Sequence, residues 1–198
     1  YLNNMVRVPT HLVGVDVRAD LLEKHQQRLR ELDWVNMTFD PSPIIDFQPT
    51  LPPNIILALH ACDTATDDAL AQGLHWQSNY IFSVPCCHNH LQQQLREQPA
   101  PPPFQPVLRH AILRERLGDI LTDTFRVAIL RMMGYQTDIV EFVSTEHTAK
   151  NLMIRAVRSM KPGQPHFVQE YQALKAFWQV TPYLETRLKE MGDWVDQS

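Results

Sequence analysis

An α/β fold, doubly wound around a mostly parallel sheet with an antiparallel hairpin at its carboxyl end, follows from three observations. Short β-branched and aliphatic runs alternate with stretches of helical periodicity, which is the signature of strand-helix-strand units. Two of those runs, Ile55 to Leu59 and Tyr80 to Val84, lead directly into loops dense in cysteine, histidine and aspartate. The alternation then closes with two strand-like runs joined by a short connection, which puts a hairpin at one edge.

The elements follow in order. Tyr1 to Val6 reads as the last turn of a helix. Leu12 to Asp16 is a strand, and Arg18 to Asp33 an amphipathic helix with Leu21, Leu22, His25, Leu29 and Leu32 near helical spacing. Trp34 to Phe39 is the next strand, and Asp40-Pro41-Ser42-Pro43 supplies turn residues after it. Strand Ile55 to Leu59 precedes a helix from about Thr64 to Gly73, which Asp63 or Thr64 can cap. After strand Tyr80 to Val84, the proline-rich stretch from Glu97 to Pro106 excludes regular helix and central strand, because proline lacks the amide donor. It is expected to be a long loop or flap. Ala111 to Met133 is a long helix ended by Gly134, and Thr137 to Val143 and Leu152 to Val157 are strands joined by Ser144 to Asn151. Beyond Lys161, Phe167, Tyr171, Leu174, Phe177 and Trp178 share one helical face, and Pro182 breaks it before a short final helix. Residues 1–160 are thus expected to form one domain, with 161–198 a helical extension packed on it.

Composition narrows the classes. The 198 residues are 44% hydrophobic and 20% charged, which suits an ordinary globular core. A formal charge of −4 and a pI near 6.1 exert no general pull on nucleic acid, so such a partner needs a local basic patch. Three cysteines, two of them adjacent, do not make a disulfide framework and suit a reducing, cytoplasmic setting. No run of about 18 apolar residues argues for a membrane span, and oligomeric state is not legible.

Two loops hold all three cysteines and three of the nine histidines: His60-Ala61-Cys62-Asp63-Thr64 and Pro85-Cys86-Cys87-His88-Asn89-His90. In open α/β sheets, ligands bind at the carboxyl ends of the strands. If the first hairpin strand is parallel to the rest, the loops after Asp16, Leu59 and Val84 and the loop Ser144 to Asn151 converge on one crevice. The Pro-Cys-Cys-His loop admits three chemistries. It can shape a substrate pocket, it can hold a metal together with Cys62 and the histidines, or it can present a cysteine nucleophile if a thiol pKa is depressed.

The two loops, Arg116-Leu-Gly-Asp-Ile-Leu-Thr-Asp-Thr-Phe-Arg126 and Glu146-His-Thr-Ala-Lys-Asn-Leu-Met-Ile-Arg155 together resemble the class I S-adenosylmethionine-dependent methyltransferases of the Pro-Cys-Cys-His type. The resemblance covers about residues 1–158. The His-x-Cys-x-x-x-Thr-Asp and Cys-Cys-His pairing is also similar to eukaryotic tRNA ribose methyltransferases, which makes tRNA or rRNA an acceptor to consider. The resemblance implies a Rossmann-like methyltransferase sheet, S-adenosylmethionine as cofactor, and methyl transfer to an oxygen or nitrogen. One departure stands out: no Gly-x-Gly element occurs, and only six glycines are present. The first strand of that fold, between the Asp16 and His60 strands, is expected upstream of Tyr1.

The resemblance assigns roles residue by residue. Asp16 accepts hydrogen bonds from the cofactor ribose, or else caps the following helix. Asp40 sits beside the adenine with Phe39 as an apolar wall, or serves the turn. His60 and Asp63 meet cofactor and substrate; His60 can act as general base, and Asp63 can instead cap its helix. His88 is a second proton acceptor and Lys150 a catalytic or orienting cation, while Cys86, Cys87 and Asn151 contact substrate. Cys62 reads as packing, and Arg116, Asp119, Asp123 and Arg126 as an ion-pair ladder along one helix face. No metal ligand is assigned. The alternative is a non-catalytic methyltransferase-fold binding module, with a Cys/His metal site as its extension.

Overall fold

The computed structural model describes residues 2–59, 61–144 and 151–195. The chain divides into two compact units, Tyr1–Thr50 and Leu51–Ser198. In the first, a π-helical turn (Leu2–Val6) precedes β1 (Leu12–Val15), α1 (Ala19–Glu31) and β2 (Met37–Asp40). The strands pair in parallel from Leu12↔Met37 to Val15↔Asp40. Gly14 is needed here because a Cβ would lie 2.6 Å from the Phe39 ring, which crosses over it and stacks on His25 with centroids 5.7 Å apart. Leu22 is the one buried apolar side chain among the described residues of this unit.

The second unit carries a four-stranded sheet in the order β3-β4-β6-β5. Its strands are β3 (Ile55–Leu59), β4 (Tyr80–Val84), β5 (Tyr135–Glu141) and β6 (Leu152–Arg158). β3 and β4 pair in parallel, whereas β6 is antiparallel to both β4 and β5. By that arithmetic β5 runs in the same direction as β3 and β4, so the loops leaving all three exit at one edge. The helices are α2 (Thr64–His75), α3 (Asn89–Glu97), α4 (Gln105–Leu108), α5 (Ala111–Met132), α6 (Pro165–Trp178) and α7 (Tyr183–Met191).

The core of this unit is continuous. Phe125, Ile129 and Leu130 of α5 join Leu70 of α2, Ile81 of β4, Ile154 of β6 and Tyr171 of α6, all fully buried or nearly so. The carboxyl-terminal helices belong to the same body: Tyr171 and Trp178 are buried, while Phe177 of the expected aromatic face is exposed. Buried Glu185 accepts Lys175 Nζ at 2.7 Å, Lys189 Nζ at 2.6 Å and the Tyr171 hydroxyl, and Arg187 Nε reaches Asp68 Oδ1 of α2 at 2.8 Å. Gly134, at φ +95°, turns α5 into β5, and a Cβ there would stand 2.7 Å from the Met160 carbonyl oxygen.

Several expectations need correction. The expected antiparallel hairpin is present as β5 and β6, but its second strand is inserted between β4 and β5, so the four-stranded sheet is mixed, and β1 and β2 pair in a sheet of their own. Trp34 and Val35 lie before β2, exposed, and β5 begins at Tyr135. The proline-rich stretch contains structure: Pro102–Phe104 forms a 3₁₀ turn, and Pro106 opens α4 at a position where no amide donor is required. Helix α3 has no counterpart in the sequence reading. Only Leu91 and Leu95 mark its apolar face, and Gln92 is buried between them.

Candidate functional site

Parallel pairing of Leu59 with Val84 puts the two cysteine-bearing loops side by side at the carboxyl edge of the sheet. Asp63 then enters α2 at φ 50° and ψ −115°, a conformation that costs a non-glycine residue about 1–3 kcal/mol. Its neighbours hold it there. The Asp63 carboxylate accepts the His90 backbone amide at 3.1 and 3.3 Å, and its carbonyl accepts Arg126 Nη2 at 3.0 Å. Asp63 therefore does not cap α2 with its side chain; it ties the first loop to the second. The Thr66 hydroxyl donates to the Ala61 carbonyl and closes the first loop on itself.

Beneath both loops lies a buried charge network. Arg126, 1% exposed, gives Nε to Asp67 Oδ1 at 2.8 Å, Nη2 to Asp67 Oδ2 at 3.0 Å and Nη1 to Asp123 Oδ1 at 3.1 Å. Asp123 Oδ1 is also 3.1 Å from His88 Nε2. On the other side of the ring, His88 Nδ1 is 3.0 Å from Asp119 Oδ1, close enough for charge attraction but outside linear hydrogen-bond geometry. Burial alone would discharge the imidazole, but Asp119 and Asp123 outweigh it and raise the His88 pKa above the ordinary histidine value. Burial works against charge at Arg126 as well, and Asp67 and Asp123 again prevail. Both ring nitrogens of His88 thus face carboxylates, and the ladder expected on α5 is turned inward. Exposed Arg116 stands outside these bonds.

Above the network the three thiols converge. Cys62 Sγ is 3.6 Å from Cys86 Sγ, which is 3.6 Å from Cys87 Sγ, and no disulfide joins them. Cys62 is exposed, and Cys86 and Cys87 are half-buried. Burial, together with the sulfur contacts to Cys62 and Cys87, pushes the Cys86 thiol up to about 12. That opposes the thiolate a covalent nucleophile needs. The sequence reading of Cys62 as packing alone is incomplete, since it is one corner of this triangle.

The other assigned residues are placed as follows. His60 and Lys150 lie outside the described residues. Asn151 is buried; its amide donates to Glu141 Oε1 and, at 2.8 Å, to the Val143 carbonyl, so its donors fasten the end of the hairpin. In the first unit Asp16 and Asp40 sit together at the end of the β1–β2 pair, the Asp16 amide donating to the Asp40 carbonyl at 3.2 Å. The Asp16 carboxylate accepts the Arg18 amide at 2.8 Å, which leads the chain into α1, whose N-cap position is Arg18. Phe39 is spent on Gly14 and His25. Next to the network, Asp63, Asp67, His90, Arg126 and Tyr183 line a cavity of about 10 Å³, room for a single water. A hollow of about 500 Å³ lies instead against α1 and Trp34, Val35 and Met37 of the first unit.

Asp67 is the residue the sequence concealed, since an aspartate in a first turn reads as a helix-dipole partner. No curated protein and no solved structure matches the chain. A family model described as a methyltransferase domain matches residues 1–94, a span that takes in β1 to β4 and both cysteine-bearing loops, and it supports a methyltransferase family for this chain.

Proposed function

We propose that this chain is a class I S-adenosylmethionine-dependent methyltransferase domain that transfers a methyl group to an oxygen or nitrogen acceptor, with tRNA or rRNA the acceptors to test first. The observation that carries this reading is the methyltransferase-domain match over residues 1–94, which holds both the acid-bearing strand ends and the Cys/His loops. Asp16 and Asp40 take the cofactor ribose and adenine, an acid at a strand end being suited to two vicinal hydroxyls. His60 and Lys150 are assigned to the transfer step, Asp63 positions the loop beside it through its bond to the His90 amide, and Cys86 and Cys87 shape the acceptor pocket. His88 and Asn151 act as positioning residues, because both His88 ring nitrogens face carboxylates and the Asn151 amide nitrogen donates within the protein. Transfer is a direct displacement driven by proximity and alignment.

Calorimetric titration of S-adenosylmethionine and its demethylated product against the protein, at the full length its gene encodes, tests the assignment. Binding should be measurable in the parent and weakened at least about tenfold, about 1.4 kcal/mol, by Asp16→Ala. No binding by the parent, or equal affinity in the variant, overturns it. The internal engagement of His88 and Asn151 favours one other reading, a non-catalytic binding module on the same fold. Methyl transfer from labelled cofactor to total RNA or protein extract decides between the two.

A further inference from the structure

We propose that Cys62, Cys86 and Cys87 form a zinc site with three sulfur ligands. All three Sγ atoms lie within 4.8 Å of one another, and two of the separations are 3.6 Å. Tetrahedral zinc with Zn–S bonds of about 2.3 Å sets its sulfurs about 3.8 Å apart, so two edges of the triangle are close to the required length. The third edge, from Cys62 to Cys87, is no longer than 4.8 Å. Three thiols in this arrangement select a thiophilic d¹⁰ cation over magnesium or calcium, which require oxygen.

The second argument is that the triangle is held from below. Asp63, adjacent to Cys62, is bonded to the His90 amide, and His88, adjacent to Cys87, is seated on Asp119 and Asp123. Arg126 joins both halves through the Asp63 carbonyl and the Asp123 carboxylate. The loops that carry the sulfurs are therefore fixed before any metal arrives, which is the role outer partners play around metal ligands. Among the described residues no fourth histidine, cysteine or carboxylate joins the cluster.

The test uses the whole chain, fully reduced under argon, with zinc chloride as the probe. Elemental analysis after dialysis should return one zinc per chain, and X-ray absorption should show three sulfurs and one lighter atom around it. Cobalt substitution should give thiolate-to-metal charge transfer in the near ultraviolet. Cys62→Ser, at an exposed position, should keep the thermal unfolding curve of the metal-free parent and lose more than the 10- to 100-fold in zinc affinity typical of outer-partner changes. Cys86→Ser should do the same where it folds. A first shell without sulfur, zinc far below one per chain, or parent affinity in Cys62→Ser would falsify the proposal. No methyl donor enters these measurements, so their outcome is separate from that of the cofactor titration.

Discussion

Arg126 is the residue on which both loops depend. Replacing it with methionine leaves Asp67 and Asp123 buried without their cation, a change that typically costs about 3–5 kcal/mol. We expect a urea midpoint lowered accordingly, and a loss below 1 kcal/mol would show that water reaches the network. His88 adds a pH dependence whose sign is fixed. Its folded-state pKa is raised by Asp119 and Asp123, so its stabilisation is fully present below the unfolded value of about 6.5 and is lost as pH rises through the folded value. The stability gap between the parent and His88→Asn should therefore shrink from pH 6 toward pH 9; a gap that is flat or widens contradicts the ion pair. The sequence showed that Asp119, Asp123 and Arg126 share a helix face. It did not show which way that face points, because periodicity is the same for a solvated ladder and for one turned onto a buried histidine.

At the scale of elements, the fit of α3 against α5 fixes the Cys-Cys-His loop from its far end. Gly118 of α5 makes room for Gln92, whose Nε2 donates to Asp119 Oδ1 at 2.8 Å and to the Glu115 carbonyl at 3.3 Å. A Cβ at Gly118 would stand 2.5 Å from Gln92 Cγ. Alanine gains about 1 kcal/mol of helix propensity there, but the displaced amide gives up both bonds and the close fit, a loss of about 1–3 kcal/mol. Gly118→Ala should thus be neutral to destabilising by about 2 kcal/mol, and Gln92→Ala in the same background should remove the penalty; stabilisation of the single variant by a full 1 kcal/mol would refute the clash. Strands β3 and β4 were legible to the residue because each is an aliphatic and aromatic run, interrupted only by Ser83 in β4, between turn signals. Helix α3 was not, since its two leucines are outnumbered by glutamines whose burial only the tertiary fold decides.

For the whole molecule, the distribution of core is uneven. Leu22 is the single buried apolar side chain described in residues 1–50, whereas β4, β6 and α5 each contribute fully buried side chains to one cluster. Local opening follows such differences. Hydrogen exchange should reach β1 and β2 amides well before those of β4 and β6, and uniform protection across both units would show this expectation to be wrong. Strand β3 adds a practical consequence. It ends the four-stranded sheet, carries no charge from Ile55 to Leu59, and leaves Ile55, Leu57 and Leu59 exposed at 42%, 54% and 56%. An exposed, uncharged edge of this kind is a template for strand pairing, by a further segment of the same protein or by a second chain, and Pro52 and Pro53 act as gatekeepers only at its entry. Concentrated solutions should therefore scatter light increasingly with time, and a lysine introduced by Leu57→Lys on the open face should delay that growth without moving the unfolding midpoint by more than about 1 kcal/mol.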